Sequence, residues 1–341
     1  MGYELFKRRR CGTSVSLCGA TNTGDHAWAL DHYVSQVHLK NFYSPALDGL
    51  MYAIRKSDLK RFTPKSQDVC RIEEGSTNAY LTKDRAIEEF LKDVEPNYNA
   101  SLAKLRENKM DQEAIASLAG FAAYVVTCSP TAMRLHSGPL KAQLEAEAAI
   151  LDEQGLIPKA PEILGEKSIT ELLADGTVKF TVDPKYPQAL GIANILHHTS
   201  VFGNSPWEIL HNDEEESPFF TSDYPAAIET FDINTPINRI VPFAPDIAVR
   251  IKPDIRLSGA KPDISFAKFN AISRHLKRAE VLEINRLLVR CAEDLIFFRD
   301  DEKWVEGFVS KNRRYRIEPV THKLPHGTGH LLISTHRVLA R

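Results

Sequence analysis

The amino-acid sequence predicts an α+β fold, with a mainly helical body and a small, antiparallel sheet set against it. Three observations support this prediction. Apolar residues recur at helical spacing through much of residues 82–198. Beyond residue 206, short apolar runs separated by turn-forming residues indicate strands. The 341 residues, 43% of them hydrophobic and 26% charged, are ordinary for a soluble globular protein with a substantial core.

The first 81 residues combine loop, helix and strand. Residues 1–28 are rich in Gly, Thr, Ser and Cys and predict a weakly ordered lead-in. A helix is expected over Asp31–Phe42. The turn pair Asp48-Gly49 introduces a strand at Leu50–Ile54, and Gln67–Ile72 is expected to pair with that strand.

The middle of the chain is predicted to be helical. The first predicted helix covers residues 82–105, and Pro96 must kink or end it. The second, at 115–126, is nearly all apolar and should lie at the centre of the fold. The third predicted helix, at 140–151, should stop at Gly155. The predicted helices cover residues 82–105 with a break at Pro96, then 115–126, 140–151, 168–174 and 188–198.

The last part of the chain carries the predicted sheet. Strands are expected at 207–211, 218–221, 239–243, 247–252 and 331–333, with helices at 266–275 and 281–298. We therefore expect one α+β domain over residues 29–300, followed by a basic C-terminal extension over residues 301–341.

Composition excludes several classes of protein. The net charge of -2 excludes a strongly basic nucleic-acid coat, although not a local basic patch. The five cysteines form no C-x-x-C pair, so free thiols in a reducing cytoplasm are the simplest account. No apolar run reaches the roughly 20 residues that a membrane span needs. We expect a cytoplasmic protein without a membrane partner, and the sequence predicts no oligomeric state.

Common catalytic motifs are absent from the sequence. There is no phosphate-binding G-x-x-x-x-G-K-[ST], no G-x-G-x-x-G, no G-x-S-x-G and no H-E-x-x-H. ATPase, dinucleotide-dependent dehydrogenase, α/β-hydrolase and zinc-protease classes are therefore unsupported. We expect no cofactor and no bound metal.

The first candidate site is a polar ladder near the start of the chain. In a helix, His32, Gln36 and Lys40 would lie on one face because they are four residues apart. An imidazole, an amide and an ammonium in a row offer an acid/base, a positioning group and an anion-binding group. Alternatively, Asp31 is an N-cap and the ladder is simply solvated.

The second candidate is the segment Thr221-Ser222-Asp223-Tyr224-Pro225. A carboxylate at the end of a strand, followed by proline, is held rigidly and could orient a histidine. The alternative is a turn in which the Asp223 side chain bonds to its own backbone.

These segments resemble a known family. Residues 32–42 are similar to the H-Y-x-P-Q-x-x-L-[RK]-x-F opening of domain of unknown function family 4238, which occurs mostly in bacteria. Further similar segments, in the right order, are Cys128-Ser129-Pro130 with Arg134, Phe219–Pro225, Pro242–Pro245 and Asn285–Ile296. The chain departs from the family pattern at Ser35 (usually Pro), Tyr224 (usually Asn) and Cys128-Ser129 (usually Arg-Thr).

The resemblance implies architecture and candidate positions only, because the family has no settled activity. It adds Arg134, Ser222 and Asn285 as candidate substrate-binding residues.

We expect a metal-independent hydrolase or nuclease that acts on a phosphate-bearing substrate. His32 would transfer protons, Gln36 would position the substrate, and Lys40 and Arg134 would stabilise negative charge. Asp223 would orient His32, which requires the two side chains to share a pocket.

Two other hypotheses remain open. The protein could be a non-catalytic nucleotide- or nucleic-acid-binding module, for example in antiviral defence, with the basic tail at Lys311–Arg316 adding affinity. Alternatively, all these polar residues are caps and turns. In each case Tyr33, Val37 and Phe42 should pack on the apolar helix at 115–126.

Overall fold

The computed structural model describes residues 30–230, 236–327 and 329–341. Strands are designated β1 to β13 and helices α1 to α10 in chain order. The helices are α1 Gln36–Lys40, α2 Ala86–Val94, α3 Tyr98–Arg106, α4 Gln112–Cys128, α5 Pro130–Glu153, α6 Ile169–Ala174, α7 Lys185–Ala193, α8 Ile195–Gly203, α9 Arg278–Cys291 and α10 Lys303–Asn312. The strands are β1 Leu30–His32, β2 Tyr52–Arg55, β3 Arg61–Phe62, β4 Arg71–Glu73, β5 Trp207–Asn212, β6 Thr221–Ser222, β7 Ala227–Glu229, β8 Asn238–Ala244, β9 Ile247–Ile251, β10 Ala271–Leu276, β11 Leu295–Phe298, β12 Tyr315–His326 and β13 Gly329–Ala340.

The fold is α+β, but the expectation of a small sheet is wrong. Within the described residues, helices make up 40% and strands 23%, and the strands form four sheets of two to five strands. The largest sheet has the order β10-β5-β9-β8-β7, and a second has the order β3-β2-β11-β6. The expectation of an antiparallel arrangement fails at one place, because β10 runs parallel to β5.

Two of the strands that were not predicted, β10 and β11, lie where helices were expected. The predicted helix at 266–275 is an irregular segment followed by β10, and the predicted helix at 281–298 ends at Cys291 before β11. Leu295–Phe298 is an apolar run that is buried from Ile296 onward, and such a run does not distinguish a buried strand from the end of a helix. Pairing with β2 and β6, which are distant in sequence, decides the outcome.

Other elements confirm the prediction. The strand expected at 50–54 is β2, and the strands expected around 207, 240 and 249 are β5, β8 and β9. The helical block from residue 82 is α2 and α3, which are separated at Pro96. Two predictions in this region are wrong: β4 pairs with β1 instead of β2, and the helix at 188–198 is two helices that meet at Asn194 and extend to Gly203.

Helix α4 lies at the centre of the core, as its apolar composition predicts. Nearly all of its residues are buried, and the Asp111 side chain caps its start by accepting a hydrogen bond from the Ala114 N–H at 2.9 Å. Ser129 ends α4 and caps α5, which begins with Pro130 and is bent by 60° from α4.

In the part of the chain that the structure describes, no single helix is long and apolar enough to cross a membrane; α4 and α5 pass that test of length and composition only as a bent pair.

The C-terminal hairpin of β12 and β13 packs against α5. A Cβ atom added at Gly138 of α5 would lie 2.5 Å from Cγ of Pro319 in β12, so only glycine lets the two elements approach this closely. Pro319 pairs with His336 of β13, and this contact therefore brings His336 towards α5.

The N-terminal lead-in expected at residues 1–28 lies outside the described residues.

Candidate functional site

The predicted polar ladder does not form. His32 ends strand β1, where it pairs with Arg71 of β4, and the Tyr33 N–H donates to the Cys70 carbonyl at 2.8 Å. The helix begins only at Gln36 and ends at Lys40. Local spacing favours a helix from Asp31 onward, but pairing with a strand about 40 residues away prevails. Asp31 is not an N-cap either, because its carboxylate binds Arg85 and the Ser76 N–H.

His32 and Gln36 nevertheless lie against the same turn. The His32 imidazole adjoins the backbone of Ser66 and Gln67, and the Gln36 Oε1 accepts from the Ser66 hydroxyl at 3.3 Å. Burial lowers the pKa of His32, whose Nε2 is buried and has no hydrogen-bond partner within the described residues. Lys40 is exposed on the surface.

This segment contacts α4 through His38, and the expected packing of Tyr33, Val37 and Phe42 on α4 stays a prediction. Phe42 is fully buried, and its ring centroid lies 5.3 Å from that of His38. The His38 ring stacks on Phe121 of α4 at 4.6 Å. The side chain that links the two helices is therefore a histidine, which the pattern of apolar residues does not reveal.

Asp223 does not orient His32, contrary to our expectation. One oxygen of its buried carboxylate accepts from the Glu293 N–H at 2.9 Å, and the other accepts from the N–H groups of Asp294 and Leu295, both at 2.8 Å. Burial raises the pKa of the Asp223 carboxyl, and the three N–H donors oppose that rise. The side chain thus fixes the connection between α9 and β11.

Lys56 holds the same connection from its other side. Its buried ammonium donates to the Ala292 carbonyl at 2.6 Å and to the Tyr315 carbonyl at 3.0 Å. Burial lowers the pKa of Lys56, and the negative charge of Asp223 acts against that shift. Lys56 and Asp223, a buried pair of opposite charges, therefore fix the backbone between α9 and β11.

The side chains of Ser222 and Asn285 also form hydrogen bonds to backbone groups. The Ser222 hydroxyl accepts from the Tyr224 N–H at 3.1 Å, so the side chain that forms a turn here is Ser222 and not the neighbouring Asp223. Asn285 is buried in α9, accepts from the Phe220 N–H and donates to the Pro218 carbonyl, both at 2.9 Å. Their predicted role in substrate binding stays a prediction.

Arg134 forms ion pairs with two carboxylates. Its guanidinium contacts Glu293 and Glu318 at 2.6 Å each, and Arg316 and Arg341 also pair with Glu293. These ion pairs join α5 to the tail. They leave Arg134 poorly placed as a free anion-binding group, although its proposed role stays a prediction.

A different set of polar side chains meets between α5, α8, β8 and β13. We name this set the histidine–arginine cluster: His136, His198, Arg239 and His336, with Tyr224 at its base. Arg239 donates to the Tyr224 hydroxyl at 3.2 Å and contacts Nδ1 of His336 at 3.4 Å. The rings of His136 and His336 lie 6.2 Å apart and are inclined by only 22°.

The cluster has one permanent positive charge and three neutral imidazoles. Burial lowers the pKa of His136 and His198 to about 4, and that of His336 to about 3; the charge of Arg239 adds to each shift. Within the described residues, the contacts of Arg239 are to Tyr224 and His336, and no carboxylate forms an ion pair with it. A half-buried guanidinium without a counter-ion favours the binding of an anion.

Sequence reasoning missed this cluster. Its residues lie on four elements far apart in the chain, and no local spacing connects them. The predicted helix at 188–198 ends at His198, but α8 continues to Gly203 and carries His198 into the cluster. Among the residues that the structure describes, no group of three or more His, Cys, Asp or Glu side chains is placed to hold a metal ion.

Comparison with known proteins gives one finding. A search of the curated proteins and a search of the solved structures both gave no match. The family model described as "Protein of unknown function (DUF4238)" matches residues 31–302. That range holds every predicted site residue and all of the histidine–arginine cluster except His336. The chain belongs to this family of proteins of unknown function, as its sequence motifs predicted.

Proposed function

We propose that the histidine–arginine cluster binds a phosphate-bearing ligand and that the protein is a metal-independent hydrolase of such a ligand, either a nucleotide or a nucleic acid. The observation that supports this proposal is Arg239, a half-buried guanidinium that lacks a carboxylate partner among the described residues. Phosphate oxygens match the planar donors of a guanidinium and would supply the missing negative charge.

The histidines supply the groups that hydrolysis needs. In the free protein all three are neutral near pH 7 because burial lowers the pKa of each. A bound anion raises the pKa of nearby imidazoles, so one histidine takes up a proton when the phosphate binds. Water then attacks phosphorus and gives its proton to a neutral imidazole. The ester P–O bond breaks, and the leaving oxygen takes a proton from the protonated imidazole.

His32 remains a second candidate for the acid/base. Its Nε2 is buried without a partner within the described residues, yet the groups that act on its pKa there include neither Asp223 nor Lys40. A His32→Ala variant therefore distinguishes the two locations. If the cluster is the site, this variant retains hydrolysis, whereas His136→Asn and His336→Asn lose it.

A specific observation favours the alternative, a non-catalytic binding module. Of the three cluster histidines, only His336 has a side-chain hydrogen-bond contact in the described residues, and that contact is to Arg239. No carboxylate orients any of these imidazoles in the part of the chain that the structure describes, although catalytic histidines commonly have such a partner. In this alternative, the cluster recognises the phosphate and performs no chemistry.

One experiment separates these possibilities. Binding of inorganic phosphate and of adenosine monophosphate is measured by calorimetry, and hydrolysis of bis(4-nitrophenyl) phosphate is measured in EDTA. We expect Arg239→Gln to weaken binding about 10- to 100-fold, because one charge-assisted contact is lost. The control Arg256→Gln changes an exposed arginine whose ion-pair partner among the described residues is Asp254, and this variant should bind as the parent does. Binding without hydrolysis supports the binding module; binding unaffected by Arg239→Gln contradicts both hypotheses.

A further inference from the structure

We infer that a second cavity, separate from the histidine–arginine cluster, binds a ligand with an apolar body and a cationic amine. The cavity encloses about 550 Å³ between α2, the start of α4, α8 and the segment before β10. This volume falls in the range of small-molecule sites. None of the residues that line it belongs to the cluster, so the two proposals can fail independently.

Apolar side chains make up much of the lining of the cavity. Phe90 and Val94 of α2 pack close to Gly120 of α4, where a Cβ would lie 2.8 Å from Val94. Leu196 of α8 and Ile264 stand at the cavity with about half of their surface exposed. A ligand that covered these two side chains would remove apolar surface from water, which favours binding.

Phe266 forms part of the wall in a strained conformation. Its φ of +55° is rare for a bulky residue, and its ring lies so close to Gly203 that a Cβ there would come within 2.3 Å. Strain of this kind persists only where the surrounding structure enforces it, and such residues cluster at ligand sites. The glycine at 203 is what allows the ring to form the wall.

The charged residues that line the cavity are all acidic. They are Asp93, Asp111 and Glu113. Lys104 pairs with Asp111 at 2.5 Å and lies 3.8 Å from Glu113, and both acids also offset the positive N-terminus of α4. Asp93 has no ion-pair partner among the residues described and lies in the last turn of α2, the negative end of that helix. The charge at Asp93 is therefore complementary to a cation.

A matched series of dyes tests this inference on the full chain. Three dansyl sulfonamides share a pentyl chain that ends in an ammonium, a methyl or a carboxylate group, and their fluorescence reports binding. We expect the ammonium dye to bind about two- to fivefold more tightly than the methyl dye, and the carboxylate dye to bind most weakly. This preference should shrink when salt is added.

Two variants locate the binding. Asp93→Asn should remove the preference for the ammonium dye and leave the affinity of the methyl dye unchanged, whereas the exposed control Asp48→Asn should change neither. Leu196→Gln should weaken all three dyes and, because Leu196 is half exposed, should not prevent folding. The inference is overturned if the three dyes bind equally, if none binds, or if both cavity variants titrate like the parent.

Discussion

Two buried ionisable side chains, His38 and Asp223, connect parts of the chain that are distant in sequence. His38 contacts the Tyr98 hydroxyl and the Thr221 hydroxyl, each at 2.7 Å, and so joins α1 to α3 and β6. A neutral imidazole can serve both hydroxyl groups, donating from one nitrogen and accepting at the other. Asp223 similarly satisfies three backbone N–H groups at once.

Replacing Asp223 should therefore destabilise the fold. In Asp223→Asn the charged acceptor is lost and an NH₂ group faces backbone donors, so the free energy of unfolding should fall by about 2–4 kcal/mol. Urea denaturation measures this, with the exposed Asp48→Asn as a control that should stay within about 0.5 kcal/mol of the parent. If the Asp223→Asn protein were as stable as the parent, the structural role of Asp223 would be contradicted.

The buried histidines should make the protein sensitive to acid. Burial lowers the pKa of His38 to about 3, against 6.5 for an ordinary histidine. Between these values the unfolded state binds a proton that the folded state does not, so stability is present above pH 6.5 and is lost as the pH falls. His38→Gln should reduce this loss by about 1.4 kcal/mol per pH unit below pH 6, measured by urea unfolding at several pH values. If the unfolding free energy depended on pH equally in His38→Gln and in the exposed control His326→Gln, the lowered pKa of His38 would be contradicted.

At the scale of elements, close approach of the hairpin to α5 determines where the cluster forms. Gly138 receives the ring of Pro319, and the strand partner of Pro319 is His336. Without this contact, His336 would not lie against His136 and Arg239.

Two glycine substitutions test this contact. In Gly138→Ala the new methyl group would overlap the rigid Pro319 ring, so the protein should lose about 1–3 kcal/mol of stability and bind phosphate less tightly. Gly307 lies within α10, and a Cβ there meets nothing within 4 Å. Gly307→Ala should therefore stabilise the protein by about 0.5–1 kcal/mol. Equal effects of the two substitutions in thermal unfolding would show that the hairpin does not press on α5.

The packing of α1 on α4 makes a further prediction. Phe42 is fully buried beside His38, so Phe42→Ala should cost about 3–5 kcal/mol of unfolding free energy. Ile163→Ala is the control, because that side chain is 92% exposed. A Phe42→Ala protein that unfolds at the same urea concentration as the parent would place this segment on the surface.

Elements with strong local signals were predictable from the sequence, and those that depend on distant pairing were not. The apolar run 115–126 and the Asp48-Gly49 turn identify α4 and β2 correctly. The start of α1, strand β10 and strand β11 depend on partners elsewhere in the chain. The same limit applies to the site: His32 and Gln36 do lie near each other, but no sequence spacing could connect His136, Arg239 and His336.

For the molecule as a whole, the C-terminal tail is an integral part of the packing. Ile317 of β12 joins the main core, and Val305 and Val309 of α10 are buried in a smaller core with Phe220 and Phe298. The tail also contributes His336 to the histidine–arginine cluster. Any test of the proposed function must therefore use the full chain.

The most direct test of the proposed function follows the imidazole NMR signals of the full chain through a pH titration, with and without inorganic phosphate. Signals are assigned with His136→Asn, His198→Asn and His336→Asn. We expect phosphate to raise the pKa of the cluster histidines, because an anion beside Arg239 stabilises the imidazolium form. The exposed His326, which lies outside the cluster, provides the control signal. If phosphate changed the pKa of none of the three cluster histidines, the proposed phosphate site would be contradicted.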